Sequence, residues 1–193
     1  MKPTRERILD AACTLFYQQG IHATPVDIIL EEAGTARQSL YLHFKSKDGL
    51  VLAFLQKRDE RWRQWLAEYV DTHAAEPRSR LLALFGFLGD WFGQADFHGC
   101  AFINIAAEFS DPRHPFRLLA AEHKQLALEY ICGLCKEAAL SDPEGTARQL
   151  ALLMEGAIAT ELVTPGSNAA AEAARMAAIV LDTQVGGIRH DHP

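Results

Sequence analysis

The sequence predicts an all-α protein with about nine helices. Apolar residues recur every three to four positions along most of the 193 residues, which is the spacing that gives a helix one buried face. Breaks fall at short stretches that contain glycine or proline, such as those around Gly20, Pro77 and Pro165. No segment shows the strict alternation of apolar and polar residues that predicts a strand. The apolar share of 49% is enough to fill a core.

Start and stop signals place the helices in chain order. Ser46 is a predicted N-cap of the fourth helix, and Ser141 or Asp142 of the eighth. The charged run at residues 57–61, inside the fourth helix, is expected to be a solvated segment between head and body. The first helix is predicted at about residues 4–19, the second from Thr24 to the turn at Ala33-Gly34, the third from near Ala36, and the fourth from Ser46 to about residue 73. The fifth follows the break at residues 74–77 and runs to about 92, and the others are predicted at about 100–109, 114–140, 143–163 and 168–185.

Residues 24–47 are predicted to form a helix-turn-helix. Thr24 reads as an N-cap, Pro25 lies in the first turn, and Gly34 can adopt the left-handed conformation that ends the first short helix. The second short helix buries Leu40 and Phe44. Such a pair presents its second helix to the major groove of DNA. An ordinary helix hairpin with a polar outer face is the alternative.

The outward residues of this second helix suit contact with DNA. Arg37 pairs bidentately with guanine edges and Gln38 with adenine edges. Hydroxyl, imidazole and ammonium groups nearby can reach phosphate oxygens. The predicted DNA-contacting residues are Thr24, Pro25, Thr35, Arg37, Gln38, Ser39, Tyr41, Leu42, His43 and Lys47.

Many features at fixed spacing occur within about residues 4–55. They are Ile8-Leu9-Asp10-Ala11-Ala12, Leu15-Phe16, Gly20, Thr24, Ala33-Gly34, Leu40-Tyr41, His43-Phe44-Lys45 and Lys47-Asp48-Gly49-Leu50. Together they resemble the N-terminal domain of the TetR family of transcriptional repressors. Three positions depart from that pattern. Ala36 replaces a capping Ser or Thr, so either Thr35 caps the helix or its start shifts. Gln38 replaces a common Gly and Leu42 a common aromatic residue or His, which leaves the operator sequence open.

The resemblance implies a division into a head and a body. The DNA-binding head is expected at residues 1–46 and a helical effector-binding and dimerisation body at 47–187, with a frayed tail at 188–193. The net charge of −6 does not oppose DNA binding, because charge acts locally over about 8 Å at physiological salt. Residues 1–58 hold eight Lys or Arg against six Asp or Glu, whereas the remainder holds 11 against 19.

Residues 143–185 are rich in alanine and leucine. Small residues allow helices to approach closely, and the resemblance implies a four-helix interface in a two-fold homodimer. Two recognition helices about 34 Å apart would then read a palindromic operator. The alternative is that both helices wrap the core of a monomer.

Aromatic residues of the body, with a few polar residues among them, indicate a pocket for an unidentified small-molecule effector. The predicted lining is Trp65, Phe85, Trp91, Phe102, Asn104, Glu108, His123 and Glu155. Each of these residues has an alternative role in the core, or in pairing with a neighbour.

Other classes of function are disfavoured. The sequence holds no nucleophile–base–acid set, phosphate loop or metal-ligand spacing, so we predict no enzyme activity, no cofactor and no metal. Cys132-x-x-Cys135 and Cys100 leave a redox sensor as a minor alternative, because a thiol at a helix N-terminus has a lowered pKa. The absence of a signal core and of an apolar run of about 18 residues predicts a cytoplasmic protein without a membrane span.

The sequence therefore predicts a ligand-responsive transcriptional regulator. The favoured form is a repressor that binds a palindromic operator as a dimer and is released by a small molecule. The alternatives are an enzyme that uses the body pocket, and a DNA-binding activator or adaptor without an effector.

Overall fold

The computed structural model describes residues 2–185, which form nine helices and no strand. The all-α prediction is thereby confirmed for this part of the chain. The helices are α1 (Thr4–Gln19), α2 (Val26–Glu32), α3 (Arg37–Phe44), α4 (Lys47–His73), α5 (Pro77–Phe92), α6 (Ala101–Glu108), α7 (Pro115–Glu137), α8 (Pro143–Val163) and α9 (Ala169–Val185). None of these helices is both long enough and apolar enough to cross a bilayer.

The helices form two compact units. The first unit combines the chain through Trp62 with residues 100–124, so it contains α1 to α3, the first part of α4, α6 and the first part of α7. Ile8, Ile29 and Leu40 are fully buried in it. The rings of Phe16 in α1 and Phe54 in α4 lie 5.6 Å apart. Each fully buried side chain of this size contributes about 1.5–3 kcal/mol of transfer free energy.

The second unit combines residues 63–99 with residues 125–185. Within it α8 and α9 pack against each other, and both pack against α5. The buried side of α5 carries Leu81, Leu84 and Phe85, and those of α8 and α9 include Ala157 and Ala177. Ala157 and Ala177 thus pack within the core of one chain, as in the alternative to the subunit interface, and the interface itself stays a prediction.

Local sequence signals set several helix ends correctly. The hydroxyl of Ser46 accepts a hydrogen bond from Gly49 N–H at 3.0 Å, and the carboxylate of Asp142 accepts one from Gly145 N–H at 2.9 Å. Gly34 has a φ of +58°, the left-handed conformation predicted for the turn. Each of these caps satisfies backbone groups that the helix itself leaves unpaired.

Two predicted helix ends are wrong. Pro25 is the N-cap of α2, because the hydroxyl of Thr24 donates instead to Gly20 O at 2.6 Å. The helix predicted to reach residue 140 ends at Glu137, and Ala139 takes a left-handed φ of 50°. The predicted tail at residues 188–193 lies outside the described residues.

Candidate DNA-binding interface

The α3 helix has one buried side and one open side. Leu40 and Phe44 are buried in the first unit, where they fix the rotation of the helix about its axis. Arg37, Gln38 and Leu42 are exposed, together with Tyr41 and His43. Leu42 is 77% exposed and Tyr41 50%. A helix of eight residues that leaves two large side chains in water presents a surface suited to a partner.

The start of α4 fixes the end of α3. A β-carbon added to Gly49 would overlap the carbonyl oxygen of Phe44, the last residue of α3. Lys45, which follows it, has a φ of 66°. Only glycine fits at position 49 without moving the backbone, so this contact fixes how closely the first turn of α4 approaches the end of α3.

Arg37 forms an ion pair with Asp27 of α2. Its Nη2 donates to Oδ1 of Asp27 at 2.7 Å and to Oδ2 at 2.9 Å. This hydrogen bonding and the negative charge of Asp27 raise the pKa of Arg37 above its already high ordinary value. The pair connects the first turns of the two short helices across the predicted DNA-binding face.

Other residues of the predicted DNA set differ widely in exposure. Thr24 is fully buried, and its hydroxyl donates to Gly20 O, so its side chain is not available to DNA in this state. Lys47 is half-buried and donates to Ile21 O at 2.6 Å. Pro25 is exposed, whereas Thr35 and Ser39 are half-buried. Both Thr24 and Lys47 therefore hold the segment that connects α1 to α2.

The predicted pocket residues fall in both units. Phe102, Asn104, Glu108 and His123 belong to the first, and Trp65, Phe85, Trp91 and Glu155 to the second. In the first unit His123 is buried; its ring stacks on Phe102 at 3.8 Å and its Nδ1 lies 2.8 Å from Oδ1 of Asp59. In the second, Phe85 and Trp91 are buried. A shared lining for all eight residues stays a prediction.

Glu108 makes contacts that the sequence did not indicate. Its carboxylate accepts hydrogen bonds from the backbone N–H of Ile21 at 2.9 Å and of His22 at 2.8 Å, and lies 3.0 Å from Nδ1 of His22. A β-carbon at Gly20 would lie 2.8 Å from the same carboxylate, and Gly20 has a φ of +83°. The end of α6 is therefore fastened to the segment between α1 and α2.

The charged run at residues 57–61 is not uniformly solvated. Lys57 donates to Asp10 at 2.7 Å, and the guanidinium of Arg58 lies 3.9 Å from the ring centroid of Tyr17. Asp59 pairs with His123. The expectation of a solvated segment is wrong at these three positions, because α1 and α7 supply partners that are distant in sequence. Glu60 and Arg61 are exposed as expected.

Two of the four cysteines have surroundings that disfavour the thiolate. Burial raises the pKa of Cys13 and of Cys135 to about 11, so both are protonated thiols near neutral pH. Cys100 is buried at the N-cap of α6, and Nζ of Lys124 lies 3.3 Å from its sulfur. All four cysteines are free thiols.

Known proteins resemble this chain in both sequence and fold. The family described as bacterial regulatory proteins, tetR family, matches residues 8–54. LmrA of Bacillus subtilis, an HTH-type transcriptional regulator, is 32% identical over 130 residues, which cover 66% of this chain and 69% of LmrA. YjdC of Escherichia coli, named likewise, is 28% identical over 180 residues, covering 92% of this chain and 93% of YjdC.

Solved structures agree with these sequence relatives. SCO4454, a TetR-family transcriptional regulator from Streptomyces coelicolor, superposes with a TM-score of 0.88 and 29% identity, covering 94% of this chain and 89% of that one. A regulator from Streptomyces avermitilis gives a TM-score of 0.82 and 28% identity, covering 95% and 99%. The predicted resemblance is confirmed, and the family consists of transcriptional regulators rather than enzymes. The chain therefore belongs to the TetR family of bacterial transcriptional regulators.

Proposed function

We propose that this regulator is a repressor that binds a palindromic operator as a homodimer and leaves it when a small molecule binds. The proposal depends first on α3, whose exposed Arg37, Gln38 and Leu42 stand on a helix that Leu40 and Phe44 hold in place. A rigid helix with this set of donors and one apolar side chain can read base edges in the major groove. Such a role would be exercised in the cytoplasm of a bacterium.

The contacts proposed for α3 follow from exposure. Arg37 and Gln38 would read guanine and adenine, and Leu42 would contact a thymine methyl group. Ser39, Tyr41 and His43, with Pro25 and Thr35, would approach phosphate and sugar groups. Thr24 of the proposed head, residues 1–46, and Lys47, the first residue of the proposed body, support the interface through their hydrogen bonds to Gly20 and Ile21.

Homodimerisation is proposed through α8 and α9, in the proposed body at residues 47–187. Leu152, Gly156, Ala159 and Val163 lie within about 60° of one another around α8, and all four are exposed. Leu152 is 73% exposed and Val163 80%. On α9, Met176 and Ile179 are also exposed. This stripe has large residues at its ends and a glycine and an alanine between them. The small residues allow a second helix to approach closely, as in a four-helix interface.

Effector release requires a contact through which the ligand acts on the head. Glu108 provides one, since it joins the end of α6 to the N–H groups of Ile21 and His22. A ligand that displaced α6 would break these hydrogen bonds and free the segment before α2. The ligand must favour the displaced state by a few kcal/mol to change operator occupancy.

A Glu108→Gln variant tests this route. The amide keeps the shape but loses the negative charge that strengthens hydrogen bonds from backbone N–H groups, so we expect a loss of about 1–2 kcal/mol in the free energy of unfolding. We also expect a weaker response of operator affinity to the effector. Glu122→Gln, at an exposed position of α7, is the matched control. Equal effector responses in the two variants would exclude Glu108 from the route.

The experiment that tests the function as a whole is a gel shift on the DNA that flanks the gene, repeated with a panel of small molecules. Release from that DNA by one compound supports the repressor, whereas turnover of the compound would support an enzyme. DNA binding that no compound affects would support an activator or adaptor. Sedimentation of the free protein tests the dimer separately.

A further inference from the structure

The ion pair between Asp27 and Arg37 lies on the open face of the helix-turn-helix. Both side chains are largely in water, with 72% of Asp27 and 57% of Arg37 exposed. Exposed ion pairs contribute little to folding stability. The packing of α2 and α3 depends instead on buried residues such as Ile29 and Leu40. The ion pair therefore matters mainly for which groups of the DNA the Arg37 guanidinium can bind.

A carboxylate on a DNA-facing surface has an electrostatic cost. It repels phosphates at any site on a duplex to which the protein binds, whereas Arg37 without its aspartate partner would attract them. Binding without sequence preference comes almost entirely from such charge neutralisation and the release of counterions. An arginine that is already paired with an aspartate adds no net positive charge to attract the DNA phosphate backbone.

The same pair leaves hydrogen-bonding capacity for bases. A guanidinium has five N–H donors, and Asp27 engages Arg37 only through Nη2. The Nη1 and Nε groups retain N–H donors that could be directed at the edge of a base. Recognition of a base edge depends on the direction of donors more than on net charge.

We infer that Asp27 is a specificity-determining residue, which pairs with Arg37 to lower its attraction to phosphate while keeping its donors for a guanine edge. This inference depends on the proposed reading of DNA by α3. Asp27 acts through Arg37 and is not itself a reader of sequence.

The test compares Asp27→Asn with the wild type on two duplexes. One is a duplex selected by the wild-type protein from a randomised library, and the other is its scrambled sequence. Asparagine keeps the size of Asp27 but removes its charge, so Arg37 becomes available to phosphates. We expect roughly threefold or greater tightening on the scrambled duplex at 50 mM salt, and a salt slope steeper by about 0.9. The ratio of affinities for the two duplexes should fall.

Glu32→Gln is the matched control, because it removes one negative charge from an exposed position of the same helix. Both variants change the net charge by one. Equal effects of the two variants on the scrambled duplex and on the salt slope would overturn the inference. Asp27→Ser serves as a second variant if the asparagine variant fails to fold by circular dichroism.

A double mutant separates a role through Arg37 from direct repulsion of DNA by Asp27. In an Arg37→Ala background, Asp27→Asn should no longer steepen the salt slope, since the cation that it releases is gone. An undiminished effect in that background would also overturn the inference. If the wild type selects no sequence from the library, the proposed function itself fails.

Discussion

Two surfaces of this regulator expose apolar side chains, and they differ in what surrounds those side chains. On α3, Tyr41 and Leu42 stand among Arg37 and Gln38, which can donate hydrogen bonds. On α8, Leu152 and Val163 are separated by the small residues Gly156 and Ala159. Hydrogen-bond donors placed among apolar side chains suit the polar edges of base pairs, whereas an apolar stripe with small residues suits packing against another helix. Both surfaces are proposed partner surfaces, and the neighbouring residues indicate the class of partner proposed for each.

The largest expected effect comes from Leu152→Asp. An aspartate would place an unpaired charge in the proposed interface between subunits, so the protein should become monomeric at micromolar concentration. Without a linked second head, operator affinity should fall by about 100-fold or more. Sedimentation equilibrium and fluorescence anisotropy on a selected duplex measure the two effects.

Leu118→Asp is the control for that experiment. Leu118 is also an exposed leucine within a helix, at 57%, but it lies in the first unit and outside α8 and α9. This variant should remain dimeric and bind DNA with nearly normal affinity. A dimeric Leu152→Asp protein with unchanged operator affinity would contradict the interpretation of the α8 stripe.

The next largest effect is expected at Gly49, which positions the α3 surface. Alanine at this site would overlap the Phe44 carbonyl, so we expect a loss of about 2–4 kcal/mol in the free energy of unfolding. Gly133→Ala, in α7, is the control, since a β-carbon there meets no atom within 4 Å. That change should stabilise the protein by about 0.5–1 kcal/mol. Urea unfolding followed by circular dichroism compares them, and a Gly49→Ala protein as stable as the wild type would refute the steric argument.

Contacts between residues that are distant in sequence mark the limit of what the sequence could predict. Pro143 and Asp142 are local signals, and the predicted bounds of α8 match the observed ones. By contrast, Glu108 lies 87 positions from Ile21, and nothing local in either segment indicates their hydrogen bond. The partner of a charged side chain is chosen by tertiary packing, which a local pattern does not contain.

The DNA-binding face shows the same limit on a shorter scale. The residue types and spacing of α3 indicated base contacts by Arg37 and Gln38 from the sequence. The pairing of Arg37 with Asp27 depends on the angle between two helices, which residue spacing alone does not give. Similarly, the hydroxyl of Thr24 could have capped α2, but the turn at Gly20 offers it a carbonyl oxygen.

Arg37→Ala tests the polar part of the α3 surface. Loss of a bidentate contact with guanine should reduce operator affinity by about 10- to 100-fold and relax the preference at one base position. The proposed dimer should persist, because Arg37 belongs to the first unit and α8 and α9 to the second. Selection from a randomised duplex library reads out the lost preference, and an unchanged selected sequence would exclude Arg37 as a base reader.

Leu42→Ala tests the apolar part of the same surface and should have the smallest effect. Removing part of an apolar contact with a thymine methyl group should reduce operator affinity by roughly threefold to tenfold. The salt slope should stay unchanged, because no charge is lost. If the variant no longer dimerised, Leu42 would belong to the interface between subunits, like the exposed residues of α8. If the salt slope changed, Leu42 would instead act through the phosphate contacts. Anisotropy titrations at several salt concentrations distinguish these outcomes and show whether the two exposed apolar surfaces bind different partners.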